Sequence, residues 1–254
     1  MRYSGSKKRF SKDIVPILMR DINKDTLFID AFAGGMNIVS EVPHPNKIAI
    51  DINKYVIALW REIQKNGMTN IPMDVSEEMY YDIKKSYLDS DNRYPDYIKG
   101  YVGNCCSYGG AWWNGYAKFN PKKNENHILE AYNGLKKQAE NFKYLKETLF
   151  ICGDYDTMIT QIMTYQEYNK YEKVVYFDPP YADTKKYESD FDNIKFWNNC
   201  RYFSENVKSV YTSEYTAPSD FKCIWKKEKK DGMKNTKKGE KQNIKIEKLF
   251  IYDK

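Results

Sequence analysis

One stretch of this chain constrains the fold more than any other. Leu27-Phe28-Ile29-Asp30-Ala31-Phe32-Ala33 carries a nearly continuous apolar run straight into Gly34-Gly35. A short apolar run without alternation, ended by glycines, reads as a strand buried on both faces. Met36 to Val42 is expected to begin a helix behind it. A second run, Lys47-Ile48-Ala49-Ile50, ends at Asp51. Asn53 is placed to cap the next helix, whose apolar positions Val56, Leu59, Trp60 and Ile63 fall at i, i+3, i+4 and i+7; Gly67 is its stop. Strand, helix, strand, helix is the pattern of a parallel sheet.

The pattern changes from about residue 70 to 147, which reads as mainly helical. Ser76 is placed to cap one helix. Another is expected from about Asn126 to Lys146, with Ile128, Leu129, Tyr132, Leu135, Ala139, Phe142 and Leu145 on its apolar side. Between them Cys106 to Ala117, rich in glycine and aromatics, reads as a hairpin. Strand signals return at Leu149–Cys152, Val174–Phe177 and Ser209–Thr212, with a helix over roughly Phe196–Asn206. Two last strands are expected at Phe221–Lys227 and Ile244–Tyr252. The chain therefore reads as an α/β protein: a Rossmann-like domain formed by residues 1–68 and 148–254, interrupted by a mainly helical insert at 69–147.

Composition sets the class. With 41% hydrophobic residues over 254 positions the chain can bury a core. No apolar run approaches the ~20 residues of a membrane span, and Met1 to Lys8 lacks the apolar stretch of a secretory signal. The five cysteines show no metal-ligand spacing, and their odd number does not fit a disulfide framework. They read as reduced thiols in a cytoplasmic protein. His44 and His127 lie far apart, so no metal site is expected. The net charge of +6 sits entirely in residues 226–248, where ten lysines face four acids. The rest of the chain has 31 basic and 31 acidic residues. A basic segment on a neutral body fits either a polyanion contact or a solvated loop.

Asp178-Pro179-Pro180-Tyr181 directly follows a buried strand. The Asp178 carboxylate and the Pro179 carbonyl are two acceptors, and the prolines fix the carbonyl's direction. Together they can hold both N–H bonds of an exocyclic amine and steer its lone pair, while Tyr181 offers a face on which an extruded base stacks. The plain alternative is a proline-rich turn, but ligands in such sheets bind at the strands' carboxyl ends. Asp51, 21 residues after Asp30, lies where an acid binds ribose hydroxyls; it is also an acid favoured at a helix N-terminus, and both can hold. Asp154, in Gly153-Asp154-Tyr155, is either an acceptor for a cofactor's adenine amine or a turn residue.

In this order of elements the chain resembles the Dam-type family of adenine-N6 DNA methyltransferases along nearly its whole length. Tyr3-Ser4-Gly5-Ser6-Lys7 is similar to that family's Trp-x-Gly-x-Lys element, with Tyr3 where the family usually has Trp. Phe28–Asn37 resembles its cofactor loop, Ile48–Asn53 its ribose-binding element, and Asp178–Tyr181 with the following Tyr187 its catalytic motif. The resemblance implies S-adenosylmethionine as cofactor and methyl transfer to the N6 of an adenine flipped from double-stranded DNA. Asp178, Pro179, Pro180 and Tyr181 would then be catalytic. Tyr3, Lys7, Asp51 and Asp178 would contact the cofactor, Asp30, Phe32, Ala33 and Gly34 would lie near its methionine end, and Asp154 would face its adenine. Trp112, Trp113, Asn114 and Tyr116, with Tyr187, are the expected DNA contacts. The expected arrangement has one tryptophan ring turned inward and one outward, because neighbouring strand residues face opposite sides. A monomer or weak dimer is expected, with room for a separate restriction endonuclease as partner. The rival enzymes are an RNA or cytosine-N4 methyltransferase, which can use a related loop; the rival class is a DNA-binding protein without catalysis.

Overall fold

The computed structural model describes residues 1–180, 191–230 and 244–253. One seven-stranded sheet organises them. Its strands are β1 (Thr26–Asp30), β2 (Lys47–Asp51), β3 (Leu149–Cys152), β4 (Glu172–Phe177), β5 (Ser209–Glu214), β6 (Phe221–Lys230) and β7 (Ile244–Tyr252), in the order β3-β2-β1-β4-β5-β7-β6. β1 to β5 run parallel, and β7 is antiparallel to both β5 and β6. The order reverses between β1 and β4, the switch point at which such sheets bind ligands.

Strand alternation divides the core into two layers. Leu27 and Ile29, Ile48 and Ile50, and Val175 and Phe177 face α6 (Tyr155–Thr164) and α7 (Asn193–Asn206). Phe28, Ala49, Val174 and Tyr176 face the other way, toward α1 (Ser11–Leu18) and α2 (Lys54–Asn66). As expected, the Asn53 side chain caps α2 by accepting from Tyr55 N and Val56 N, and Gly67 ends it at φ 64°. α1 contains Pro16, and the sequence reading does not anticipate this helix.

The helices α3 (Glu77–Leu88), α4 (Asp96–Cys105) and α5 (His127–Asn141) share the α2 side of the core. Ser76 caps α3, as expected. α4 lies so close to α2 that a Cβ at Gly100 would stand 2.1 Å from the Tyr55 carbonyl oxygen, which is why only glycine fits there.

Three expectations are corrected. Met36–Val42 is a series of turns, because Met36 takes φ 56° and the Asp30 carboxylate captures Val39 N. α5 stops at Asn141, and the carbonyls beyond it are claimed from outside: Lys47 Nζ takes that of Lys143, and Gln64 Nε2 takes those of Leu145 and Thr148. The lysine-rich segment is not one loop. Lys226, Lys227, Lys229 and Lys230 lie on β6, paired with β7, and Lys227 Nζ is 2.7 Å from Asp13 Oδ2.

Candidate active site at the strand ends

β4 delivers Asp178 one residue beyond its last strand position, followed by a buried Pro179. Oδ1 of Asp178 lies 2.6 Å from Nζ of Lys7, which is only 3% exposed. The 3-10 turn Lys7–Arg9 places that lysine, and Ser6 caps the turn by accepting from Lys8 N. The same ammonium is 3.5 Å from Oε1 of Glu247 on β7. Tyr181 and Tyr187 lie outside the described residues.

Two neighbouring strands end in acids beside this pair. Asp30, at the end of β1, is buried: its Oδ2 accepts from Val39 N at 3.2 Å, and its Oδ1 has no hydrogen-bond partner among the described residues. Burial, with the nearby Asp178 charge second, pushes its carboxyl up to about 8. Asp51, at the end of β2, accepts from Gly34 N at 2.7 Å and from Asn53 N at 2.8 Å. Burial raises its pKa, and those two backbone bonds oppose the rise. Asp51 therefore ties the glycine turn to the start of α2.

Tyr3 closes the turn from outside. A Cβ at Gly34 would meet the Tyr3 ring at 2.8 Å, and one at Gly35 would meet Tyr3 Cβ at 2.8 Å, so the glycines let the N-terminal segment lie on this loop. Ala33 N bonds back to Ile50 O at 2.9 Å. Phe32 leaves the loop for the opposite layer, where its ring lies 4.9 Å from that of Tyr155 and 6.1 Å from Phe177. Asp154 is exposed and caps α6 through Asp156 N. Tyr3, Lys7, Asp30, Asp51 and Asp178 thus share one edge of the sheet; Phe32 instead joins an aromatic cluster beside it.

The loop at 106–117 departs from expectation. Residues 106–117 form no strand hairpin: Tyr108–Gly110 is a 3-10 turn, and a single Ser107–Tyr116 bridge closes the loop. Both tryptophan rings turn inward. Trp113 stacks on Tyr87 at 5.4 Å and meets Tyr80 edge-on at 5.5 Å; Trp112 stacks on Tyr55 at 5.7 Å and donates from Nε1 to Tyr87 Oη at 3.3 Å. Tyr116 Oη donates to Val75 O at 2.7 Å. The expected split of one ring inside and one outside fails because Trp113 takes φ 50°, which breaks the strand geometry behind it. Asn114 is exposed, as is Tyr108 at 65%. The Tyr108 turn borders the strand-end edge, since Ser4 N donates to Gly110 O at 2.9 Å.

Sequence reasoning gave no role of their own to three residues here. Ile52 follows Asp51 and is 75% exposed, an apolar surface beside the acid. Gln138 reaches from α5 to donate to the carbonyls of Gly35 and Met36. Glu247 shares its strand face with Leu249 and Ile251; an acid in that phase was the available signal.

No helix among the described residues is long and apolar enough to cross a membrane, and among them no group of three or more His, Cys, Asp or Glu could hold a metal ion. Residues 3–241 match the model of a family described as D12 class N6 adenine-specific DNA methyltransferase. The chain is 25% identical over 215 residues to the type II methyltransferase M.FokI of Planomicrobium okeanokoites; the match takes in 78% of this chain and 31% of that protein, so this chain spans less than a third of M.FokI's length. Two structures of the rRNA methyltransferase aviRa from Streptomyces viridochromogenes are similar at TM-scores of 0.47 and 0.43 with 10% identity, covering 99% and 97% of this chain and 87% and 84% of theirs.

Proposed function

Because the chain belongs to the D12 class of N6 adenine-specific DNA methyltransferases, we propose that it transfers a methyl group from S-adenosylmethionine to the N6 of an adenine turned out of double-stranded DNA. The observation that carries the reading is the convergence of Asp30, Asp51, Asp178 and Lys7 at the ends of adjacent strands, beside a glycine turn. These residues fit a cationic donor. Asp30 keeps a buried carboxyl oxygen without a hydrogen-bond partner among the described residues, and its ionisation is opposed by burial and by a neighbouring acid. A positive group nearby would relieve both. S-adenosylmethionine supplies an electrophilic methyl group on a sulfonium.

Everything else falls to the protein. Asp178 and the Pro179 carbonyl accept the two N–H bonds of the base amine, so that its lone pair points at the methyl carbon. Asp178 stabilises the positive charge that develops on N6 and receives the proton as the new bond forms. Tyr181 stacks on the base. Asp51 accepts from ribose hydroxyls through lone pairs that its two backbone bonds leave over. Tyr3 backs the glycine turn, and Asp154 faces the cofactor's adenine. Residues 69–147 read the target, with Tyr108 and Asn114 as the side chains presented to DNA. The inward packing of Trp112, Trp113 and Tyr116 supports a scaffolding role for them. M.FokI is named as a type II methyltransferase, and a separate restriction endonuclease is the partner that this likeness brings to the proposal.

The experiment is calorimetry with S-adenosylmethionine, followed by tritiated methyl transfer to duplex DNA, RNA and protein. Label in DNA, recovered as N6-methyladenine after digestion to nucleosides, is the expected result. Label in RNA or on cytosine would replace this reading.

A further inference from the structure

Glu247 is fully buried, on a strand face it shares with Leu249 and Ile251. Its Oε1 lies 3.5 Å from Nζ of Lys7, and the same nitrogen lies 2.6 Å from Oδ1 of Asp178. One ammonium therefore meets two carboxylates, one on the loop that follows β4 and one on β7. An ionised carboxylate in an apolar layer is costly to bury, and a hydrophobic side chain there would often fold at least as well. A fold that places an acid at this point calls for an explanation in function.

We propose that Glu247 is a positioning residue for methyl transfer, acting through Lys7. The inference rests on the N6-adenine reading above. Asp178 can steer an amine only with an acceptor oxygen directed at it, and in the structure Lys7 occupies Oδ1. A carboxylate bound closely to an ammonium is a weaker acceptor for a neutral amine. Glu247 gives the ammonium a second counter-charge, from β7. Lys7 can then shift toward Glu247 as the base arrives without becoming an uncompensated buried cation. The Asp178 charge opposes the ionisation of buried Asp30, so the positive charge that Lys7 brings to Asp178 is felt at that acid too. Tyr176, on the same layer of β4, donates to or accepts from Ser213 Oγ at 2.8 Å and frames this space with a neutral group.

The test is single-turnover methyl transfer by Glu247→Gln, which keeps the shape and removes the charge. The rate constant is expected to fall about 10-fold or more, within the range of a coupled charge pair. The KM for DNA and the dissociation constant for S-adenosylmethionine should stay within about 3-fold, the split that marks an effect on the transition state rather than on binding. In a Lys7→Met background the same substitution should cost less than about 2-fold, because the residue through which it acts is gone. Glu247→Asp, which keeps the charge, should recover most of the rate. Wild-type turnover in Glu247→Gln, an undiminished loss in the Lys7→Met background, or equal losses in the Asp and Gln variants would each overturn the inference. A wild-type protein that places no methyl group on adenine would instead overturn the reading on which it rests.

Discussion

The strand-end edge and the aromatic loop at 106–117 are both built from residues that stand out in the sequence, yet they use them in opposite ways. At the edge, each acid follows directly from a buried strand, and the parallel sheet aligns those ends. Position along the chain translates into position in the site because the backbone ladder enforces it. In the loop, two adjacent tryptophans and a tyrosine invite a reading as DNA contacts, but their rings fill the space between α3, α4 and α2. Aromatic side chains bury so much apolar area that packing claims them first. A charged residue at a sheet edge is thus informative from sequence, and a large ring in a helical module is not.

The strongest break of this comparison is in the loop. Trp113→Ala should cost about 3–5 kcal/mol of stability, the range for a buried ring removed from a core, while the protein that remains folded keeps its target preference. Tyr108→Ala, at an exposed ring, should change stability by less than about 0.5 kcal/mol and yet lower activity on cognate DNA or relax the choice of site. Urea unfolding alongside methylation of cognate and one-base-altered duplexes separates the two. If Trp113→Ala leaves stability intact and alters specificity, the assignment of roles in the loop is reversed.

At the edge the next effect is in binding. Asp51→Ala removes a charge-assisted acceptor worth about 1.5–3 kcal/mol, so calorimetry should show S-adenosylmethionine binding weakened by roughly 10- to 150-fold. An unchanged affinity would leave Asp51 as the tie between Gly34 and Asn53 and nothing more.

A pH-dependent effect sharpens the electrostatic side. Asp30 titrates at about 8 in the folded chain against an ordinary 3.8, mainly because it is buried. Between those values the folded protein retains a proton that the unfolded chain has released, so this group makes stability fall as pH rises through the window and level off above it. Asp30→Asn should therefore raise stability more at pH 8 than at pH 5 when the cofactor is absent. An equal effect at both values would mean that Asp30 is ionised in the folded protein.

The parts of the fold that were legible share a cause with the parts of the site that were. β1, β2 and α2 follow from periodicity, a side-chain cap and a glycine stop, all local signals. Asp30 and Asp51 end those strands, and Asp178 follows β4 in the same way. What escaped depends on distant partners. The turns at 36–42 exist because Asp30 captures Val39 N, and α5 ends early because Lys47 and Gln64 take its following carbonyls. Glu247 and Lys7 are 240 positions apart in a 254-residue chain, and no spacing rule connects them.

The central claim is that the carboxylate leaving β4 carries out methyl transfer to adenine N6. Its most direct test compares the wild-type protein with Asp178→Ala under single-turnover conditions, with the labelled DNA digested to nucleosides. The account predicts N6-methyladenine from the wild type and a rate about 10³-fold lower from the variant, the scale of a lost proton-accepting group, with DNA binding and melting temperature largely retained. Near-normal turnover in Asp178→Ala would contradict it.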